Sequence, residues 1–271
     1  MFNNQQIGFI GGGAIAEALI RGILQAKIIQ AGQILVSDVN LARREHLEKA
    51  YGVTAIADSK LLSSKADILL LTVKPNIIES VLQTISSAVS PKAIIVSVAA
   101  GVRIATVEEK LPTNPVIRVM PNTPVAVGAG MSVIALGSKA CTEHGEMAAA
   151  LFKAVGKTVM AGEELMDAVT GLSGSGPGYA FVLIDALADA GVRVGLPRQM
   201  SILLAAQTLL GAAKMVLDTG EHPAKLRDAV TSPGGTTIAG IQVMEQRGVR
   251  AALSDAVTVA CERSREMGRL K

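Results

Sequence analysis

The sequence predicts an α/β protein, with an N-terminal Rossmann dinucleotide-binding domain over residues 1–161 and an all-helical domain over 162–271. Three observations predict it. Short apolar runs alternate with helical patterns through the first part of the chain, which implies β-α-β units and a parallel sheet covered by helices. The first apolar run feeds a glycine-rich turn. After Gly162 the pattern changes to long Ala/Leu-rich helical stretches with few β-branched runs. A length of 271 residues fits roughly two domains.

The elements follow in order. Ile7 to Ile10 reads as a strand, and Ala14 to Gln25 as a helix with Ile15, Leu19, Ile23 and Leu24 near helical spacing. Gln33 to Ser37 is a second strand and Leu41 to Tyr51 a charged helix. Ile68 to Val73 is a continuous apolar run, as expected of a strand buried on both faces. Ile77 to Ala88 reads as a helix and Ile94 to Val98 as a strand, with later strands over Val116 to Met120 and Met131 to Ala135. In the second part, glycine-rich turns at 173–178 and 232–235 interrupt the helices.

Composition excludes several function classes. With 49% hydrophobic and 18% charged residues the chain is not disordered, and its length supplies a core without a disulfide or metal staple. A net charge of +3 is too weak for a nucleic-acid surface, and 2% aromatics with no Trp provide no base-stacking platform. Cys141 and Cys261 are expected as reduced cytoplasmic thiols, because the start Met1-Phe2-Asn3-Asn4-Gln5-Gln6 lacks the basic and apolar regions of a signal peptide. His46, His144 and His222 have no ligand partners at metal spacing, so no metal site is expected. Mean hydropathy is high at +0.42. The apolar stretch Ser201 to Leu217 is about one turn short of the ~20 residues of a membrane span and carries Gln207, Thr208 and Lys214. It is expected instead to be buried on all sides, between subunits.

Three motifs carry chemistry. Gly11-Gly12-Gly13-Ala14-Ile15-Ala16 is a G-x-G-x-x-A turn between a strand and a helix. Gly11 permits the tight turn, Gly13 lets a pyrophosphate approach the backbone, and the helix N-terminus faces the phosphates. Asp38, in Ser37-Asp38-Val39-Asn40 at the end of the second strand, stands where an acidic residue holds the adenosine ribose hydroxyls. A helix cap is the other reading of that residue. Asp38 tilts the expectation toward NADH and leaves NADPH open, since Arg43 and Arg44 follow closely. Ser232-Pro233-Gly234-Gly235-Thr236-Thr237-Ile238 opens a helix with a nest of backbone N–H groups suited to a carboxylate or phosphate. A capped interhelical turn is the alternative. Neither a Ser-His-Asp order nor a Cys-His pair is evident. Hydride transfer needs neither.

Six blocks in order resemble the pyrroline-5-carboxylate reductases. They are Ile7 to Gly13 with Ala16 to Ile20, Val73-Lys74-Pro75, Ser97 to Gly101, Arg118 to Pro124, Gly171 to Pro177, and Asp228 to Ile238, the most specific. The resemblance implies reduction of the cyclic imine 1-pyrroline-5-carboxylate to L-proline by NADPH or NADH, the last step of proline biosynthesis. It also implies a Rossmann domain joined to a helical dimerisation domain, with the dimers assembling further, commonly into decamers. It places the cofactor on Gly11, Gly12, Gly13, Ala14, Ile15, Asp38 and Asn40, with Ser59 near the adenosine and Val73, Lys74, Ala100 and Asn122 near the nicotinamide half. On the other side, the nest reading puts the substrate carboxylate on Ser232, Gly234, Gly235, Thr236 and Thr237, with the Thr237 hydroxyl on the ring nitrogen.

The chain departs from the common family pattern in three places. Ala14-Ile15 stands for Asn-Met, Gly178 for Ala, and Val39 for an Arg that many bacterial members carry. The last removes a partner for a 2′-phosphate. Two rivals remain in view. A 3-hydroxy acid dehydrogenase or imine reductase of the 6-phosphogluconate dehydrogenase-like type shares the architecture, but the dehydrogenases carry a Lys early in the interdomain helix, where this chain has none. A non-catalytic dinucleotide sensor would keep the glycine turn without needing the 232–237 nest.

Overall fold

The computed structural model describes every residue except Met1, Asn3, Leu270 and Lys271, so part of the N-terminal stretch read above lies outside the described residues. The chain divides into two compact units, one of Met1–Gly174 with Val259–Lys271 and one of Ser175–Thr258.

The first unit is built on an eight-stranded sheet. In chain order it contains β1 (Ile7–Ile10), α1 (Ala14–Gln25), β2 (Ile34–Ser37), α2 (Leu41–Tyr51), β3 (Thr54–Ile56), α3 (Ser59–Lys65), β4 (Ile68–Leu71), α4 (Ile78–Ile85), β5 (Ile94–Ser97), α5 (Ile104–Lys110), β6 (Val116–Pro121), β7 (Gly130–Leu136), α6 (Thr142–Lys153), β8 (Gly156–Met160) and α7 (Met166–Val169). The strands lie in the order β3-β2-β1-β4-β5-β6-β7-β8. All neighbours are parallel except β6 and β7. That antiparallel pair departs from the all-parallel sheet the βαβ pattern suggests. Only residues 122–129 join the two strands, too few for a crossover helix.

The central strands β1, β2, β4 and β5 are buried at every position, which explains their unbroken apolar runs. One core packs Phe9, Leu19, Ile34, Leu70 and Phe152 on one face of the sheet. The other packs Leu62, Leu69, Leu71, Leu82 and Ile95 on the opposite face. Each fully buried side chain of this size contributes about 1.5–3 kcal/mol. Gly22 allows α1 to approach the chain before β8, since a Cβ there would lie 2.4 Å from Val155 Cγ1 and 2.9 Å from the Ala154 carbonyl.

Strand order reverses between β1 and β4, which leaves a crevice at the carboxyl ends of these strands. The register aligns Ile10 with both Ser37 of β2 and Leu71 of β4. The segments after all three strands therefore emerge side by side.

The second unit contains α8 (Gly176–Arg193), α9 (Arg198–Thr219), α10 (Pro223–Ala229), α11 (Thr236–Gln246) and the start of α12 (Val249–Arg269). Pro177 occupies the first turn of α8, where a missing N–H costs nothing. Tyr179 donates from its hydroxyl to the Ala256 carbonyl at 3.2 Å. Helix α9 is long and apolar enough to cross a membrane by length and composition. Within the single chain it exposes Leu203, Leu204, Leu210, Met215 and Leu217, and α8 exposes Phe181, Val182 and Leu187.

Candidate active site

The crevice at the strand reversal is a cleft of about 340 Å³. Its walls come from the end of β1 with the turn beyond it (Ile10, Gly11, Gly13), the end of β2 with the loop beyond it (Ser37, Asp38, Val39), the entry to α3 (Ala57, Ser59), and the β4–α4 segment (Thr72, Val73, Lys74, Ile77). Of the residues assigned to a cofactor from the sequence, it brings together Gly11, Gly13, Asp38, Ser59, Val73 and Lys74. Gly12, Ala14, Ile15, Asn40, Ala100 and Asn122 are not among its lining residues.

Each glycine of the turn has a distinct reason. Gly11 has φ +97°, and a Cβ there would lie 2.7 Å from Val73 Cγ1 and 3.0 Å from the Thr72 carbonyl. Its N–H donates to the Ser37 carbonyl at 2.7 Å. The Thr72 hydroxyl donates to the carbonyls of Ile10 at 3.0 Å and Gly11 at 2.7 Å, clamping the turn onto the end of β4. A Cβ on Gly12 would press on Leu47 at 2.8 Å. A Cβ on Gly13 would meet no protein atom within 4 Å, so nothing inside the protein requires glycine there. Gly13 is the N-cap of α1 and makes no side-chain cap, which leaves the first-turn N–H groups of this helix without a side-chain acceptor. An open helix start, bare glycine backbone and an adjoining cleft fit a dinucleotide pyrophosphate.

Asp38 does not cap α2. That role belongs to Asn40, whose side chain accepts from the Arg43 N–H at 3.3 Å. Instead Asp38 Oδ2 accepts from the Gly12 N–H and Oδ1 from the Asn40 N–H, both at 2.8 Å. The carboxylate is thus fixed at the cleft wall with lone pairs remaining for ribose hydroxyls. Asn122 ties loops together, since its Oδ1 accepts from the Met131 N–H at 2.8 Å and its Nδ2 donates to the Ser173 carbonyl at 3.0 Å.

The two arginines after β2 are both engaged. Arg43 donates to the Gly12 carbonyl and to Glu17 Oε2, and Arg44 Nη1 donates to the carbonyls of Asp38 at 2.7 Å and Val39 at 3.2 Å. Glu17 also meets His46 Nε2 at 2.8 Å and accepts from the Tyr51 hydroxyl at 2.9 Å. Burial pushes the Glu17 carboxyl up, but hydrogen bonds to His46, Arg43 and Tyr51 outweigh it and bring the carboxyl down to about 2. Burial first, then the bond to Glu17, raises the Tyr51 phenol. This cluster escaped the sequence reading, because Glu17 and Arg43 lie on different helices and no local spacing links them.

On the helical unit, Gly234 has φ +67° and turns the chain into α11, with Gly235 as N-cap. The Gly235 N–H donates to the Ser232 carbonyl at 3.0 Å and is therefore occupied within the turn. The N–H groups of Thr236, Thr237 and Ile238 have no intrahelical acceptor and no side-chain cap. Ile238 is thus a third available donor that the sequence reading missed. Thr219 and Thr258, deep in their helices, and Thr231, just past α10, spend their hydroxyls on the carbonyl four residues back, whereas Thr237, in the first turn of α11, has no helical carbonyl four residues back. Among the described residues the Thr237 hydroxyl makes no such bond, and its side chain is exposed.

A second cleft, of about 560 Å³, belongs to the first unit and is lined by Arg103, Arg118, Glu163, Glu164, Asp167 and Arg265. Its buried Arg118 donates to Glu163 Oε1 at 3.0 Å, which also accepts from the Ile104 N–H at 2.7 Å. Among the described residues no group of three His, Cys, Asp or Glu side chains is placed to hold a metal ion.

Comparison with known proteins bears on both halves of the chain. Residues 163–267 match the family described as pyrroline-5-carboxylate reductase dimerisation. Residues 6–101 match the family described as NADP oxidoreductase, coenzyme F420-dependent. The chain is 46% identical over 263 residues to a pyrroline-5-carboxylate reductase of Arabidopsis thaliana, covering 97% of this chain and 95% of the relative. A solved pyrroline-5-carboxylate reductase from Coxiella burnetii superposes with a TM-score of 0.92 at 32% identity, covering 98% of this chain and 99% of the other. The Plasmodium falciparum pyrroline carboxylate reductase with NADP bound superposes with a TM-score of 0.87 at 32% identity, covering 98% of each chain.

Proposed function

The chain belongs to the pyrroline-5-carboxylate reductase family and reduces 1-pyrroline-5-carboxylate to L-proline with NAD(P)H, and we propose that the two sites described above divide the work. The bound dinucleotide supplies a hydride from its nicotinamide ring to the imine carbon. The first-turn N–H groups of α1 and the bare backbone of Gly11 to Gly13 receive the pyrophosphate, with Ala14 and Ile15 continuing that turn. Asp38 accepts from the adenosine ribose, with Ser59 beside the adenosine, and Val73, Lys74, Ala100 and Asn122 serve the nicotinamide half. Asn40 holds the loop through its own N–H bond to Asp38.

The substrate carboxylate sits on the donors of Thr236 and Thr237 at the start of α11. Each charge-assisted bond contributes about 1.5–3 kcal/mol. Gly234 and Gly235 let the ligand approach the backbone, and Ser232 assists from the turn. The Thr237 hydroxyl hydrogen-bonds the ring nitrogen and orients the imine. The nitrogen's proton comes from solvent, which fits an exposed threonine with no acidic partner. The observation that carries this reading is the uncapped first turn of α11 with an unengaged Thr237 hydroxyl.

The protein is a dimer acting on a small molecule, with residues 1–161 as the cofactor domain and 162–271 as the dimerisation and substrate domain in this reading. The dimerisation match over 163–267 supports that division. The exposed leucines of α8 and α9 are the surface a second subunit covers, so α9 belongs to an interface and not to a membrane. Dimers assemble further, into decamers. The enzyme works in the cytoplasm in this reading, where Cys141 and Cys261 stay reduced. The test follows NAD(P)H absorbance with pyrroline-5-carboxylate and, separately, with a 3-hydroxy acid and the oxidised cofactor. Turnover with the imine alone is expected. Turnover with the hydroxy acid alone would assign the chain to the dehydrogenases.

A further inference from the structure

Two cations follow β2, and both spend hydrogen bonds within the protein. Arg44 is turned back on the carbonyls of Asp38 and Val39. Arg43 lies along the glycine turn, bonded to the Gly12 carbonyl, with Glu17 holding its guanidinium from the α1 side. The same Glu17 carboxylate is fixed by His46 at 2.8 Å and Tyr51 at 2.9 Å, so it is not free to swing away and release the arginine. The two peptide groups flanking the Gly12 Cα are thereby both held, the N–H by Asp38 and the carbonyl by Arg43. Val39, the residue after Asp38, is 95% exposed and brings no charge. Across Asp38, Glu17, Arg43 and Arg44 the fixed charges sum to zero, and the group nearest the ribose corner is an anion.

A 2′-phosphate carries close to two negative charges and is normally met by arginine forks. A ribose hydroxyl needs only an acceptor. We propose that Glu17, which makes no contact with the cleft itself, is the positioning residue that sets dinucleotide preference: by sequestering Arg43 against the glycine turn it leaves the 2′ corner to Asp38 and selects NADH over NADPH. The inference rests on the cofactor site proposed above.

The test measures kcat/KM for NADH and for NADPH at saturating imine, with calorimetric titration of 5′-AMP and adenosine 2′,5′-bisphosphate as probes of the corner alone. The wild type is expected to favour NADH. Glu17→Gln frees Arg43 and should raise the NADPH:NADH ratio about tenfold, the value of roughly one charge-assisted hydrogen bond, through KM and not kcat. The double variant E17Q/R43Q should return the ratio to the wild-type value, which a merely structural loss at α1 would not do. An unchanged ratio in Glu17→Gln, or a gain that survives in the double variant, overturns the proposal. If Glu17→Gln does not fold, Arg43→Gln decides alone. It should leave the ratio within about twofold, since the wild-type arginine is held off the phosphate, and a selective tenfold loss with NADPH would overturn the proposal. Asp38→Ala separates the two layers. If it shifts the ratio and Glu17→Gln does not, the Glu17 role fails alone; if Asp38→Ala shifts nothing, the ribose assignment beneath it fails.

Discussion

Gly13→Ala separates fold from function at a single methyl group. The new Cβ meets no protein atom within 4 Å, and Gly13 has φ −68° and ψ −171°, which alanine adopts without strain. The unfolded chain loses about 0.4–1 kcal/mol of conformational freedom, while alanine is a poorer N-cap than glycine by a similar amount. The two nearly cancel, so unfolding free energy should stay within about 0.5 kcal/mol of wild type. Cofactor binding responds differently. The methyl occupies the approach a pyrophosphate uses, and displacement of that group costs the equivalent of one charge-assisted bond to the first turn of α1. At about 1.5–3 kcal/mol, the dissociation constant rises about tenfold to about two hundredfold. Urea unfolding followed by far-UV circular dichroism measures the first quantity, and NADH fluorescence titration the second. Wild-type affinity in a normally folded Gly13→Ala would refute the pyrophosphate assignment.

Other outcomes follow from the same geometry. Thr237→Ala should lower kcat by about 10²-fold with cofactor affinity unchanged, because only the hydrogen bond at the ring nitrogen is lost; full activity in steady-state assays would remove that role. Gly22→Ala should destabilise by about 1–3 kcal/mol despite better helix propensity, since the Ala154 carbonyl 2.9 Å from the new Cβ cannot rotate away; chemical denaturation checks this. Glu17 has a folded-state carboxyl depressed from 4.5 to about 2, so its stabilisation is present above the unfolded value and is lost as pH falls toward 2. With the Glu17 and Arg43 side chains 23% and 25% exposed, solvent screening reduces the contribution to about 1–2 kcal/mol. Glu17→Gln should therefore be less stable than wild type at pH 7, with the gap closing in acid, and a gap that widened on acidification would contradict the assignment.

Much of the first unit is legible in the sequence because its central strands are buried on both faces. Ile68–Leu71 and Ile94–Ser97 declare themselves as apolar runs, and α1 and α2 have the limits their patterns suggest. β3 and β8 go unrecognised for the opposite reason. Thr54–Ile56 and Gly156–Met160 lie at the sheet edges with exposed positions and no unbroken hydrophobic signal. The glycine turn is readable from its spacing, but the reason for each glycine is tertiary: the Thr72 carbonyl constrains Gly11, while nothing in the protein constrains Gly13. At 232–238 the residue types suggest an anion nest. Backbone bonding then decides which amides are available, removing Gly235 and adding Ile238. The engagement of Arg43 by Glu17 depends on how α1 and α2 pack, and no local motif encodes it.

The claim on which the rest depends is that backbone amides at the start of α11 hold the substrate carboxylate. A crystal structure of the enzyme with L-proline and the oxidised dinucleotide tests it directly. The account predicts proline carboxylate oxygens about 2.7–3.1 Å from the amide nitrogens of Thr236 and Thr237, with the ring nitrogen within reach of Thr237 Oγ1. Proline bound instead among Arg103, Arg118 and Arg265, with the α11 amides facing water, would contradict it.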